Sequence, residues 1–233
     1  MLISWIKKTT LLDYPWKVST IIFTLWCNFR CHYCHNYEFV LPENVQHFMK
    51  DLIPEMAFFN FLKTRVWLLD WVVISWWEPT LQKDLYEFIK KIKELWFLVK
   101  LDTNWRDSLL LNKLIDEKLI DYVAMDIKYP FWRYKEMTWV DEPVDEYIKS
   151  KDILLSWVVD YELRTTIAKW YFDEEIISEI WKDIMWAKRW YLQNFEEKNI
   201  LNAWFDGKAF ESYELEELRK AWERFVEFCD IRK

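Results

Sequence analysis

Cys27, Cys31 and Cys34 stand in the segment LWCNFRCHYCHN with the spacing C-x3-C-x2-C, so three of the chain's four thiols fall on one short stretch. Thiolates are soft ligands, suited to zinc and to iron–sulfur clusters. A structural zinc or an ordinary electron-transfer cluster takes its full set of protein ligands, whereas a catalytic metal keeps one position open. Three ligands rather than four therefore point to chemistry. His32 and His35 lie in the same stretch and offer a rival set. With Cys31 and Cys34 they would close a four-ligand zinc site, and the chain would then be a non-catalytic interaction module. Cys229 stands apart and reads as a lone buried thiol.

The elements that must carry these residues follow from the apolar pattern. Short β-branched runs alternate with amphipathic stretches about six times, with no low-complexity linker between them. Strands are expected at residues 18–25, 72–75, 98–103, 122–128, 161–167 and 189–195. Helices are expected at 44–64, 81–95, 108–118, 144–155, 174–185 and 213–229. This alternation predicts an α/β fold of parallel βαβ units. It forms one domain over residues 1–233, with a core at about 18–195 and a helical extension at about 208–233.

Reactive residues in such folds gather at the C-terminal ends of the strands. Cys27 follows the first strand, Trp76-Trp77-Glu78-Pro79 the second and Asp102-Thr103-Asn104 the third; Asp126 and Lys128 close the fourth, and Arg164 lies on the fifth. One site on one rim is expected.

A formal charge of −7 argues against a nucleic-acid or anionic-membrane surface. The first residues, MLISWIKKTTLLDYP, lack the apolar core of an export signal, and no apolar run is long enough to span a bilayer. A cytosolic protein is expected, in which clustered cysteines are metal ligands rather than disulfides. His47 and the charged stretch of Glu214, Glu216, Glu217, Arg219 and Lys220 read as solvated surface.

One glycine and eighteen tryptophans make up an unusual balance, since ordinary usage of about 7% would give roughly sixteen glycines. Tryptophan stands where turns and helix ends ask for glycine, as at Pro15-Trp16, Trp76-Trp77, Leu95-Trp96 and Asn104-Trp105. A bulky side chain at positive φ costs about 1–3 kcal/mol. The expectation is that most of these tryptophans are glycines in the source organism, encoded by UGA read there as glycine.

With tryptophan read as glycine, the motifs become LGCNFRCHYCHN, VVISGGEPTLQ and LDTNG, followed by MDIK. In that form and order they resemble the radical S-adenosylmethionine (SAM) superfamily. More narrowly, the stretch from Leu2 to about Phe195 is similar to the anaerobic ribonucleoside-triphosphate reductase activating proteins. The resemblance implies an incomplete parallel (β/α)6 barrel and a 4Fe-4S cluster held by Cys27, Cys31 and Cys34. The fourth iron would chelate SAM. It also implies an electron donor such as flavodoxin or ferredoxin, and a glycyl radical enzyme as partner and substrate. Matched to the family, Tyr33 packs near the adenine, and Trp76, Trp77, Glu78 and Pro79 occupy the GGEP motif at the SAM amino group. Asp102, Thr103 and Asn104 reach the ribose or methionine, Asp126 and Lys128 a polar strand end, and Arg164 the carboxylate. A related reading keeps the radical chemistry but directs it at another protein or a small molecule.

Overall fold

The computed structural model describes residues 1–14 and 17–232; Pro15-Trp16, marked in the sequence as a turn, lies outside the described residues. Eight strands form a single sheet in chain order: β1 (Ile3–Thr10), β2 (Ser19–Thr24), β3 (Trp71–Ser75), β4 (Leu98–Thr103), β5 (Tyr122–Asp126), β6 (Asp160–Ile167), β7 (Trp190–Asn194) and β8 (Cys229–Arg232). Among the described residues only β1 runs antiparallel to its neighbour, and β1 and β8 are the edges, so the sheet is not closed. The six units expected from the sequence are β2 to β7. Strands β2 and β3 are buried at every position, which is why they carry continuous apolar or small residues rather than an alternation. In-register pairs Phe23–Ser75, Thr103–Met125 and Asp126–Arg164 keep the chemistry-bearing strand ends near one rim.

Helices cover the outer face: α1 (Pro42–Phe48), α2 (Glu55–Lys63), α3 (Leu85–Glu94), α4 (Ser108–Asp116), α5 (Tyr134–Thr138), α6 (Asp145–Leu155), α7 (Glu174–Ile184) and α8 (Ser212–Trp222). Aspartates start two of them, the Asp107 side chain accepting from Leu110 N and Asp173 from Ile176 N. Helix α3 buries Leu85, Phe88, Ile89 and Ile92, a stripe at helical spacing that seals it to the sheet.

Four expectations need correction. The helix expected at 44–64 is two helices, because Pro54 cannot continue the first and instead precedes α2, while Ile53 N bonds back to Ile3 O. The 81–95 helix starts later, after a short 3-10 turn at Pro79–Leu81. The C-terminal helix stops at Trp222, and Cys229 begins a strand that pairs with β7. Strand β1 was not expected, since its run of exposed Lys7 and Lys8 gives an edge strand little apolar signal.

Among the described residues twelve non-glycine positions have positive φ, and ten of them are tryptophan: 26, 67, 76, 77, 96, 105, 139, 157, 170 and 186. The backbone therefore asks for glycine at Trp76, Trp77, Trp96 and Trp105, the described positions that the sequence marked. Trp96 shows why. It closes α3 by donating its N–H to Lys93 O at φ 69°, yet its ring is 90% exposed and finds no packing to offset the strain. Trp67 is alike, at φ 72° and 95% exposed. Replacing either residue by glycine is expected to stabilise the chain by about 1 kcal/mol, the left-handed penalty outweighing glycine's entropy cost. Urea unfolding of Trp67→Gly and Trp96→Gly measures this, and unchanged or lower midpoints contradict it.

Candidate active site

The cysteines occupy the loop that leaves β2, and backbone bonds clamp that loop from two sides. Arg30 N donates to Thr138 O and His32 N to Met137 O, at 2.8 and 3.3 Å. From the other side, Leu201 N donates to Cys34 O and Asn202 N to His32 O, at 3.0 and 3.1 Å. Cys27, Cys31 and Cys34 are all free thiols and line one cavity of about 180 Å³. The histidines are engaged elsewhere. The His32 ring lies 2.9 Å from Asn202 Nδ2 and His35 Nδ1 lies 2.7 Å from Lys198 O, so neither imidazole is turned to the cavity. The zinc set considered from the sequence loses two of its four ligands by this placement.

Burial pushes all three thiols up, Cys27 further because of its neighbour Cys31, while Lys128 partly offsets the rise at Cys31, which reaches about 12. Unaided, the cysteines stay protonated. A cationic occupant is what would make them thiolates, releasing their protons as it binds.

The next wall comes from the end of β3. Trp76 and Trp77, at φ 66° and 46°, line the cavity. Trp76 packs on Phe23 at 4.3 Å and Trp77 on Phe39 at 4.7 Å between centroids, with Trp77 Nε1 donating to Asn36 O. Glu78 and Pro79 are buried and do not line the cavity. Glu78 is fully buried and accepts from Thr80 N at 2.9 Å, Asn104 N at 2.7 Å and the hydroxyls of Thr80 and Thr103. Its own N–H donates to Trp26 O at 2.9 Å, so one residue ties the loops after β2, β3 and β4 together. Burial raises the Glu78 carboxyl in spite of these bonds.

Asp102, Asp126, Lys128 and Arg164 complete the far wall as a lattice of alternating charge. Arg164 bridges Asp102 Oδ2 at 3.1 Å and Asp126 Oδ1 at 2.8 Å, and Lys128 Nζ lies 2.9 Å from Asp126 Oδ2. Ser75, a wall residue not anticipated, donates to Asp102 Oδ2 at 2.9 Å. Burial alone would raise Asp102, but Arg164 and Lys100 overcome it and hold its carboxyl down at about 2. Arg164 was expected to meet a ligand carboxylate; two of the chain's own carboxylates already neutralise it. Lys100 Nζ stands 3.5 Å from Asp102 Oδ1, close enough to attract but not aligned as a hydrogen bond. That oxygen, Tyr33 Oη and Asn104 Oδ1 are buried without a hydrogen-bond partner. Three unsatisfied polar atoms around one cavity mark a place where a ligand belongs. Asn36, Phe29 and Val40 also line it, and their types and spacing gave no signal of that.

The sequence profile of the Radical SAM superfamily matches residues 21–154, more than half of the chain. The chain belongs to the radical SAM superfamily. A protein of Methanocaldococcus jannaschii named "Putative glycyl-radical enzyme activating enzyme" is 35% identical over 99% of this chain and 95% of its own length. A second protein of that organism and description is 33% identical over 55% of this chain and 43% of its own length. Among solved structures, Streptococcus suis SuiB bound to S-adenosylmethionine superposes with a TM-score of 0.64 at 16% identity, over 88% of this chain and 48% of that one. TYW1 with a lysine-pyruvate adduct gives 0.57 at 15%, over 89% and 74%. These likenesses concern the fold, and the chain spans about half the length of SuiB.

Radical SAM proteins use a 4Fe-4S cluster and SAM, and the two groups fit this site unequally. The three cysteines, sharing a cavity beside the cationic Lys128, suit a cluster that takes one thiolate per iron. For SAM the polar atoms are present, but ligand pockets measure roughly 300–1,000 Å³. The cavity of about 180 Å³ has two indoles in its wall and shares Ser75, Trp76, Asp102, Asp126 and Arg164 with an adjoining cavity of about 530 Å³. The three cysteines fit a cluster, and the two indoles narrow the space left beside it.

Removing the centre of the charge lattice tests its weight. Arg164→Gln leaves Asp102 and Asp126 without their shared partner and is expected to cost about 3–5 kcal/mol near neutral pH. The low carboxyl of Asp102 stabilises the fold above the ordinary carboxylate range, and that contribution disappears as pH falls from about 4 through about 2. The gap between wild type and variant should therefore narrow below about pH 4, as denaturant titrations across pH would show. A constant gap contradicts the assignment.

Proposed function

We propose that this chain is a cytosolic activating enzyme for a glycyl radical enzyme, with an anaerobic ribonucleoside-triphosphate reductase as partner and a flavodoxin or ferredoxin as electron donor. The observation that carries this reading is the cavity where Cys27, Cys31 and Cys34 meet the unsatisfied polar atoms of Tyr33, Asp102 and Asn104. The 35% identical relative supports an activase over other radical SAM activities. When bound, a cluster reduced by the electron donor would supply one electron to the sulfonium of SAM, and the pair would supply the radical chemistry needed to remove a hydrogen atom from a glycine Cα of the partner. The chain's own residues do the holding. Three thiolates grip the cluster, Lys128 offsets their charge, and Glu78 fixes the loops that carry the walls.

Access supports a macromolecular substrate. A second cavity of about 530 Å³ runs along the concave side of the sheet, lined by Trp5 and Lys7 of β1 and Arg232 of β8. It shares Ser75, Trp76, Asp102, Asp126 and Arg164 with the first. β1 and β8 do not pair, and the opening between these edges is the entry this reading assigns to a loop of the partner.

The same reading includes the tryptophans. Ten left-handed tryptophans, two of them in the cavity wall, are accounted for together if those codons are UGA and the source organism reads UGA as glycine. Glycine at 76 and 77 would relieve the backbone and widen the cavity in one change. The coding sequence gives a direct test, and UGG at positions 76, 77 and 105 rules the idea out.

The activity test compares the chain as written with Trp76→Gly/Trp77→Gly after anaerobic reconstitution. Both should take up iron and acid-labile sulfide. The glycine form should bind SAM at least tenfold tighter and cleave it to 5'-deoxyadenosine, and Cys31→Ser should abolish cleavage. With the reductase present, an electron paramagnetic resonance doublet of a glycyl radical is expected. Zinc in place of iron, or a loaded glycine form without SAM cleavage, defeats the proposal; cleavage without a glycyl radical moves it to another substrate.

A further inference from the structure

A chain of side-chain amides leads from the cavity to the surface, and its polarity is set at the far end. Asn104, 3% exposed at the end of β4, donates from Nδ2 to Asn28 Oδ1 at 2.8 Å. Asn28 in turn donates from its Nδ2 to Tyr147 Oη at 2.7 Å and to Glu142 Oε2 at 3.2 Å. Tyr147, on α6, sends its own hydroxyl proton to Glu142 Oε2 at 2.8 Å. A carboxylate only accepts. Glu142 therefore forces Asn28 to face it with the NH2 group, which leaves Asn28 Oδ1 turned to Asn104. Asn104 must then also present its NH2. The usual ambiguity of amide orientation is removed at both asparagines by one acid outside the cavity.

The consequence falls on a cysteine. An amide nitrogen has two protons, and the second one of Asn104 Nδ2 points to Cys27 Sγ at 3.9 Å, a long contact near the outer limit for a sulfur acceptor. Phe29 N gives the same sulfur a second donor at 3.4 Å. Asn104 Oδ1, the remaining atom of the group, is the buried one without a partner. The backbone of Asn104 is separately fixed by its N–H to Glu78 Oε2 at 2.7 Å, so side-chain substitution does not release the loop.

We propose that Glu142, Tyr147, Asn28 and Asn104 form a positioning relay that holds an N–H donor on Cys27 and thereby raises the reduction potential of the cluster bound there. Hydrogen bonds to cluster sulfurs stabilise the more negative, reduced state. The relay rests on the reading of the three thiolates as cluster ligands, and it gives Asn104 a part beyond its expected contact with SAM.

The test is an electron paramagnetic resonance redox titration of the full reconstituted chain without SAM, so that residues 76 and 77 do not enter. Asn104→Ala should move the midpoint to more negative potential. At the wild-type midpoint its ratio of reduced to oxidised cluster should fall at least threefold; a tenfold fall corresponds to about 59 mV for one electron. Glu142→Gln, outside the cavity, can offer Asn28 an N–H and reverse both amides, so it should shift the midpoint in the same direction. In the Asn104→Ala background Glu142→Gln should add nothing, because its effect passes through Asn104. A structural role alone would lower the melting temperature and leave the midpoint in place. Loaded variants with the wild-type midpoint, or a Glu142→Gln shift that persists without Asn104, overturn the relay. A wild-type chain that takes up no iron–sulfur cluster overturns the cluster reading itself, and the relay with it.

Discussion

A buried carboxylate organises the rim on which everything else stands. Glu78 has no exposed surface, and its oxygens collect the N–H groups of Thr80 and Asn104 with the hydroxyls of Thr80 and Thr103, while its N–H reaches Trp26 O. Parallel strands hold their own ladder, but the loops that leave them have backbone groups to satisfy at the point where the ligand must be left room. Glu78 satisfies those of three adjacent loops from behind the wall. The cavity face of the rim is thereby left free for cysteines and unsatisfied polar atoms. Burial of the acid is tolerable because so many donors converge on it.

Around that fixed rim the electrostatics are arranged to need an occupant. The three thiols are raised by burial, Cys27 and Cys31 also by their neighbouring cysteines, whereas Asp102 and Asp126 are held ionised by Arg164. A site with neutral thiols beside a balanced lattice of two acids and two bases takes up positive charge at the sulfurs without disturbing the rest. Arg164 lines the cavity while bridging Asp102 and Asp126.

Backbone geometry sets the other constraint. A βα turn that must leave a strand sharply next to a cofactor uses left-handed conformations, and these exclude side chains both by local strain and by the space they open. At positions 76 and 77 the two reasons coincide: positive φ and the cavity wall. At 67 and 96 only the first applies, since those rings stand in solvent. The same residue type thus carries two different penalties, one on stability and one on binding, and they are separable by position.

The cysteine spacing, the order of the polar motifs and the alternation of buried runs with amphipathic stretches were all legible in the sequence, because each depends on residues close together along the chain. The abnormal tryptophans were legible too, since turn chemistry is local. Strand β1, the break before Pro54 and the strand at Cys229 were not, because an edge strand with exposed lysines has little apolar pattern and its pairing is decided by the sheet it joins. Nor did local pattern show that Glu78 stands behind the wall, that Arg164 is already paired, or that Asn28 reaches Tyr147 across 119 positions. Those facts belong to side chains brought together by the sheet's curvature. Sequence alone determined which groups this protein has for its chemistry; tertiary structure decided which of them face the cavity and which hold it in place, because hydrogen-bond and charge partners distant in the chain are chosen only when the strands assemble.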